Sequence, residues 1–372
     1  MKVAVVRGKF LNKYEMQFFE PLADQFDITA FGSLTSFHDR FRFPVVKLPS
    51  PMDLPNFPYK MPILNRLFTD AHYLLGLESR LKGFDLVHTA ETYFHYTQQC
   101  LNAKKKGYVK KVIATVLENI PFNNEGIRGR CAFKARARRE LDHIIALTKK
   151  TKTALLLEGA DPKKITVIGH FIDTKKFRPI RKNTTKKLVI LFCGRFEWYK
   201  GIFDFIEAAE RLRRDSSLCG YNLTFRMVGD GSEKKKIPDW IEHDSVGYKE
   251  MPKVYNDADI FVAPSKPHFA KASRGRPTIT WEEQYCTALL EAQASGLPIV
   301  TTRSGGIPEN IGDAGILVPP GDVSAITEAL KSYILSPKKR LLYAARARVR
   351  AVHVHDAKIG AKKLAALYTS LF

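Results

Sequence analysis

The sequence has no apolar run that approaches the about 18 residues needed to cross a bilayer, so no transmembrane helix is expected. Acidic residues are scarce. Against 60 Lys and Arg stand 38 Asp and Glu in 372 residues, for a net charge of +22. That imbalance favours anionic partners, whether phosphate-bearing substrates, anionic lipid or nucleic acid, and does not choose among them. The five cysteines (Cys100, Cys131, Cys193, Cys219 and Cys286) are odd in number and scattered, with no pair at metal-ligand or redox spacing. This argues against a disulfide framework or a zinc site and for a reduced, cytoplasmic chain. No G-x-G-x-x-G follows the first apolar run, and neither a Walker A sequence nor H-E-x-x-H occurs. No RNP, helix-turn-helix or zinc-finger pattern supports a nucleic-acid-binding module. The opening "MKVAVVRG" lacks the long apolar region and small-residue cleavage site of a signal peptide, and reads as a first strand.

Short apolar, β-rich runs alternate with longer helical patterns. "KVAVV", "FDLVH", "KVIATVL", "HIIAL" and "ITVIG" mark the first half; "KLVILFCG", "LTFRMVG", "ADIFVAP", "LPIVTT" and "AGILVPP" mark the second. Near-continuous apolar strands between helices indicate parallel sheets covered on both faces. The polar stretch "PIRKNTTKK" separates the two series. The expected organisation is therefore α/β, with two Rossmann-like domains: residues 1–178, a linker at 179–187, and residues 188–355. A final amphipathic helix at 356–372 carries Ile359, Leu364, Leu367 and Leu371 at helical spacing and could cross back onto the first domain. A long basic insert at 264–282 interrupts the rhythm, and long loops inside compact domains are usually functional or disordered.

"EEQYCTALLEAQASGLPIV" places Glu283 and Glu291 on either side of a helix start. A straight helix would separate them by about 12 Å. A carboxylate at each end can accept hydroxyl hydrogen bonds, and the free amides near Tyr285, Cys286, Thr287 and Ala288 suit a diphosphate between them. From spacing alone, two solvated helix glutamates remain an alternative. "CGRFEWYKG" adds Arg195 and Lys200 at the carboxyl end of a strand, the edge where open α/β sheets bind ligands. Two cations there suit a diphosphate leaving group. "VGDGS", with Gly229, and "SGGIPE", with Gly305, Gly306 and Glu309, are Gly-rich turns at other strand ends. The pair in "DAD" (257–259) could bind a metal, but Asp259 sits directly before a strand and reads as a strand-start residue.

In this order the segments resemble the retaining GT-B glycosyltransferases of family GT4: G-R-x(4)-K-G from Gly194 to Gly201, "RMVGDGS", "YNDADIFVAPS", E-x(7)-E, "EAQASGLPIVTTRSGGIPE" and "AGILVPPGD". The resemblance implies two Rossmann-like domains facing each other across a cleft, with a nucleotide diphosphate sugar held by the second. It implies that Arg195 and Lys200 contact the diphosphate, Glu283 the sugar and Glu291 the ribose, with Gly194, Gly229, Gly305, Gly306 and Glu309 nearby. The donor is a substrate, so no cofactor and no metal are expected.

On the acceptor side, "FDLVHTAE" looks like the family's D-x-x-H strand end, with His88, and Gly8 stands after the first strand. The sequence departs from the family at two places: Glu118 stands where many members carry a sugar-contacting histidine, and Cys286 stands where Gly is usual. The basic stretches 104–111, 128–145 (with Lys134, Arg136, Arg138 and Arg139) and 343–355 suggest an anionic membrane surface and a lipid-linked or glycan acceptor at the inner face of the membrane. The alternatives are a GT-B nucleotide-sugar epimerase and a basic, non-catalytic nucleic-acid-binding protein.

Overall fold

The structure, a computed structural model, describes residues 1–180, 187–270 and 278–372. Two compact units appear: Met1–Phe171 with Ala357–Phe372, and Ile172–Asp356. Residues 172–180 thus belong with the second unit, earlier than the boundary expected at 178. The Ile180 amide donates to Asn256 Oδ1 (2.7 Å), and Asn256 Nδ2 donates to the Arg178 carbonyl (3.0 Å). Of the expected linker 179–187, residues 181–186 lie outside the described residues.

The first unit is built on a seven-stranded parallel sheet. Its strands are β1 (Lys2–Gly8), β2 (Asp27–Ser33), β3 (Val45–Leu48), β4 (Phe84–Ala90), β5 (Val109–Val116), β6 (His143–Ala146) and β7 (Ile165–Val167), in the order β3-β2-β1-β4-β5-β6-β7. Successive side chains on a strand point to opposite faces. Both faces are apolar here. Ala4 and Val6 enter one core with Val87 and Ala114, while Val3 and Val5 enter the other with Leu86 and Ile113. The second core is closed by the helix Ala357–Ser370, through Ala361, Leu364 and Tyr368. Gly360 permits that approach: a Cβ there would lie 2.3 Å from the Phe171 ring.

The second unit repeats the plan with β8 (Lys187–Cys193), β9 (Asn222–Val228), β10 (Glu242–Asp244), β11 (Ile260–Ala263), the antiparallel hairpin β12 (His268–Ala270) and β13 (Thr278–Trp281), β14 (Ile299–Thr302) and β15 (Ile316–Val318). Its parallel sheet runs β10-β9-β8-β11-β14-β15. In both sheets the order reverses beside the first strand, which puts a crevice at the carboxyl ends of β1 and β4, and of β8 and β11. The hairpin is the described part of the basic insert, whose residues 271–277 lie outside the described residues. Asp259 accepts from the Val189 amide (2.8 Å) and fixes the start of β11 against β8, a structural role. Among the described residues no helix is long and apolar enough to cross a membrane.

Candidate functional site

In the second unit the predicted donor residues gather at the carboxyl edge of β8, β9, β11 and β14. The loop after β8 is pinned by glycine. A Cβ on Gly229 would lie 1.9 Å from the Gly194 carbonyl oxygen, and one on Gly201 would lie 2.0 Å from that of Pro264. These contacts draw the loop Gly194–Gly201 tight against its neighbours. The Lys200 Nζ then lies 2.6 Å from Glu283 Oε2, an oxygen that also accepts from Ser265 Oγ (2.9 Å). Arg195 points outward, its guanidinium 5.7 Å from the Tyr199 ring centroid. The hairpin supports this loop from the side: the Tyr199 and Trp281 rings are 4.3 Å apart, Trp198 and His268 are 4.9 Å apart, and Lys200 Nζ sits 5.0 Å from Trp281.

Glu283 is tied to the glycine turn. Its carbonyl accepts from the Gly306 amide (2.8 Å), its amide meets Ser304 Oγ (3.4 Å), and Gly305 takes a left-handed φ of 53°. The helix that follows, Thr287–Ala294, begins from Cys286 at φ 60° and ψ 82°, a region that favours glycine. Asn310, fully buried, holds this strained start. Its Nδ2 donates to the carbonyls of Tyr285 (2.5 Å) and Cys286 (3.2 Å), and its Oδ1 accepts from Gln293 (2.8 Å). The amides of Thr287 and Ala288 stand in the first turn of this helix, where amides lack intrahelical acceptors. Burial pushes the Cys286 thiol up to about 12, so it is no nucleophile at neutral pH.

Glu291 lies one turn inside and is 4% exposed. Tyr255 donates to its Oε2 (2.8 Å). Burial pushes its carboxyl up to about 7, against the pull of Tyr255 and the Lys176 charge. Glu309 sits on the turn below, its carbonyl accepting from Arg350 (2.8 Å). The two glutamates are therefore buried and individually partnered, unlike a solvated helix face. The sequence reading missed Asn310, Tyr255, Ser265 and Trp281. Of these, Tyr255 and Ser265 carried a signal, as the first and last residues of "YNDADIFVAPS".

The first unit departs further from expectation. His88 is fully buried: Nδ1 meets the Tyr368 hydroxyl (2.6 Å) and Nε2 the Thr115 hydroxyl (2.7 Å). Desolvation holds its pKa well below the usual range, so it is a neutral link between the sheet and the last helix, with no nitrogen facing a ligand. Gly8 has φ 52°, and a Cβ there would lie 3.1 Å from the Tyr96 ring. Glu118 is buried at the end of β5, accepting from the Ile120 amide (3.0 Å) and Asn123 Nδ2 (2.8 Å). Beside it lies Glu91, not singled out in the sequence.

The basic helix Arg130–Glu140 also turns inward. Arg130 pairs with Asp70 (2.8 Å), Lys134 with Glu158 (2.5 Å) and Arg138 with Glu158 (2.9 Å). Arg136 binds Glu140 (2.9 Å), which leaves Arg139 as its most exposed cation. The other basic stretches are likewise engaged. Lys104 pairs with Asp142, Lys106 with Glu78 and Lys110 with Asp85, and Arg348 donates to the carbonyls of Thr174, Phe177 and Ala294.

The family model described as "Glycosyl transferases group 1" matches residues 173–350, and that described as "Glycosyltransferase Family 4" matches residues 23–176. The chain is similar to the putative colanic acid biosynthesis glycosyltransferase WcaL of Escherichia coli K12, at 26% identity over 72% of this chain and 66% of that protein. It is similar to the MMP alpha-(1->4)-mannosyltransferase of Mycolicibacterium hassiacum, at 27% identity over 63% of this chain and 55% of that protein. The matches thus span less than two thirds of the length of these curated relatives. In fold it is similar to Anabaena Alr3699/HepE, solved in complex with UDP and glucose, with a TM-score of 0.75 and 16% identity over 100% of both chains.

Proposed function

This chain belongs to glycosyltransferase family 4 and has a GT-B fold, and from that premise we propose that it transfers a sugar, with retention, from a nucleotide diphosphate sugar held by the second unit. The observation that carries the reading is the convergence of Lys200–Glu283, the Asn310-clamped helix start and Glu291–Tyr255 on one sheet edge. As the glycosidic bond breaks, negative charge develops on the departing diphosphate. Arg195, Lys200 and the amides at the start of Thr287–Ala294 offer positive charge there without a metal. Lys200 has two calls on it, since the same ammonium holds Glu283. Neutralised in this way, Glu283 can accept from the sugar hydroxyls without repelling the phosphates. Glu291, kept rigid by Tyr255, takes the ribose. HepE is solved with UDP, which supports a uridine nucleotide as the first donor to try.

The acceptor is a glycan or a lipid-linked glycan, in keeping with the relative named for colanic acid biosynthesis. An anionic membrane surface as partner has the least support, because most cations of the basic stretches already face carboxylates or carbonyls. The reading is tested by thermal shift with UDP-, GDP- and ADP-sugars, followed by NMR of the product anomer. A stabilising donor and a retained anomer are expected. Conversion of donor to an epimer with no acceptor present favours the epimerase alternative.

A further inference from the structure

Resting on the glycosyltransferase reading above, we propose that Glu91, with Glu118 beside it, is the group of the first unit that takes hold of a sugar-type hydroxyl of the acceptor. Glu91 directly follows β4, and Glu118 lies just beyond β5, its neighbour in the sheet. Both therefore stand at the carboxyl edge, where parallel sheets bind ligands. The Glu91 amide donates to the Thr115 carbonyl (2.9 Å), and its backbone takes φ 58°, a left-handed conformation unfavourable to any residue but glycine. The loop after β5 has two more such residues, Phe122 (φ 61°) and Asn124 (φ 64°).

The side chains show what this shape serves. Glu91 is 4% exposed. Its Oε1 accepts from the amides of Leu117 (2.8 Å) and Glu118 (3.3 Å), but its Oε2 is buried with no hydrogen-bond partner. A buried carboxylate oxygen without a donor is costly to keep. The Glu118 oxygens, in contrast, are served by the Ile120 amide, Asn123 and Asn124. Lys134, on the helix Arg130–Glu140, is a cation whose charge bears on both carboxylates. Its ammonium is committed to Glu158 (2.5 Å) and Glu125 (3.2 Å), and Arg138 also binds Glu158. Tyr93, partly buried in the field of both carboxylates, has its ring 5.1 Å from the Arg130 guanidinium, which pairs with Asp70.

Two carboxyls held together in a dry site cannot both ionise freely. Burial and the Glu118 charge push Glu91 up to about 8, so at neutral pH it keeps its proton. The pair then offers the Glu91 hydroxyl as a donor beside the acceptor oxygens of Glu118. A hydroxyl, which both gives and takes a hydrogen bond, matches that offer. A phosphate brings acceptor oxygens alone and leaves the acceptor oxygens of the pair unmatched. A divalent cation would require both carboxyls ionised together with several further oxygens.

The test uses the full chain and saturation-transfer NMR with methyl glycosides of glucose, galactose and mannose as probes, alongside calorimetry with UDP, GDP and ADP. At least one glycoside should contact the parent protein, with affinity falling between pH 7 and 9. Glu91→Ala should weaken it at least tenfold, and Glu91→Gln should remove the pH dependence. Nucleotide affinity should be unchanged in both variants, and a cooperative thermal melt with the parent's circular dichroism spectrum reports that their first unit is folded. Parent-like glycoside binding by Glu91→Ala, or no glycoside bound by the parent while a nucleotide binds, overturns the inference alone. No nucleotide bound either removes the glycosyltransferase reading beneath it. If the variants fail to fold, a carbon-13 titration of Glu91 in the parent decides: a midpoint near 8 that moves when glycoside is added supports the inference, and one near the ordinary carboxylate value of 4.5 overturns it.

Discussion

Lys200 and Glu283 hold one another: Nζ and Oε2 lie 2.6 Å apart, with the two side chains 16% and 7% exposed. Removing one partner of a buried pair strands the other charge. Lys200→Met and Glu283→Gln should each lower the melting temperature and cut sugar transfer by about 10²-fold or more. The double variant should lose less than the sum of the two, with a coupling of about 1 kcal/mol or greater. Strictly additive losses in a double-mutant cycle would show that the pair does not act as a unit.

Arg195 stands in contrast, exposed and stacked near Tyr199. Arg195→Ala should change stability by no more than about 0.5 kcal/mol. Its nucleoside diphosphate affinity should nevertheless fall about tenfold, with the difference shrinking as salt rises. Calorimetry at low and moderate ionic strength checks this, and unchanged affinity removes Arg195 from the donor site.

Glu91 and Glu291 give the stability a distinctive pH dependence. Their carboxyls are raised from 4.5 to about 8 and about 7 in the folded chain. Between the unfolded and folded values the folded state binds more protons, so stability falls as pH rises through that window. Each group adds a slope of up to about 1.4 kcal/mol per pH unit. Urea unfolding of the parent, Glu91→Gln and Glu291→Gln from pH 5 to 9 should show the parent losing ground to each variant as pH rises. Parallel curves would contradict the assigned burial.

Cys286 occupies a left-handed conformation with a side chain attached. Cys286→Gly should relieve strain of about 1 kcal/mol and raise the melting temperature, partly offset by the greater freedom of glycine in the unfolded chain. Cys286→Ala should not gain. Equal melting temperatures for the two variants would show that the turn is unstrained.

Much of the fold was legible because its signals are local. Apolar runs such as "KVAVV" and "KLVILFCG" could only be buried strands, and their alternation with helices set two parallel sheets. The edge proposed for the donor stood out through glycines and cations at strand ends. What escaped depends on contacts between distant segments. His88 looked like a ligand-side residue, yet the Tyr368 hydroxyl, 280 positions away, occupies one of its nitrogens. Lys134 and Arg138 looked like a surface charge cluster, and only the approach of Glu158 shows them to be interior. Asn310 clamps the start of the helix Thr287–Ala294 through two carbonyls whose proximity no spacing rule encodes.

In the proposed complex the second unit holds a nucleotide sugar lengthwise, ribose at Glu291 and sugar at Glu283. Calorimetric titration of UDP, GDP and ADP and their sugar conjugates into the parent, Glu283→Gln and Glu291→Gln tests it most directly. Glu291→Gln should weaken the free nucleotide and its sugar conjugate alike, by about tenfold for a lost charged hydrogen bond. Glu283→Gln should spare the free nucleotide and weaken only the conjugate. Parent-like binding of both ligands by both variants would contradict the account.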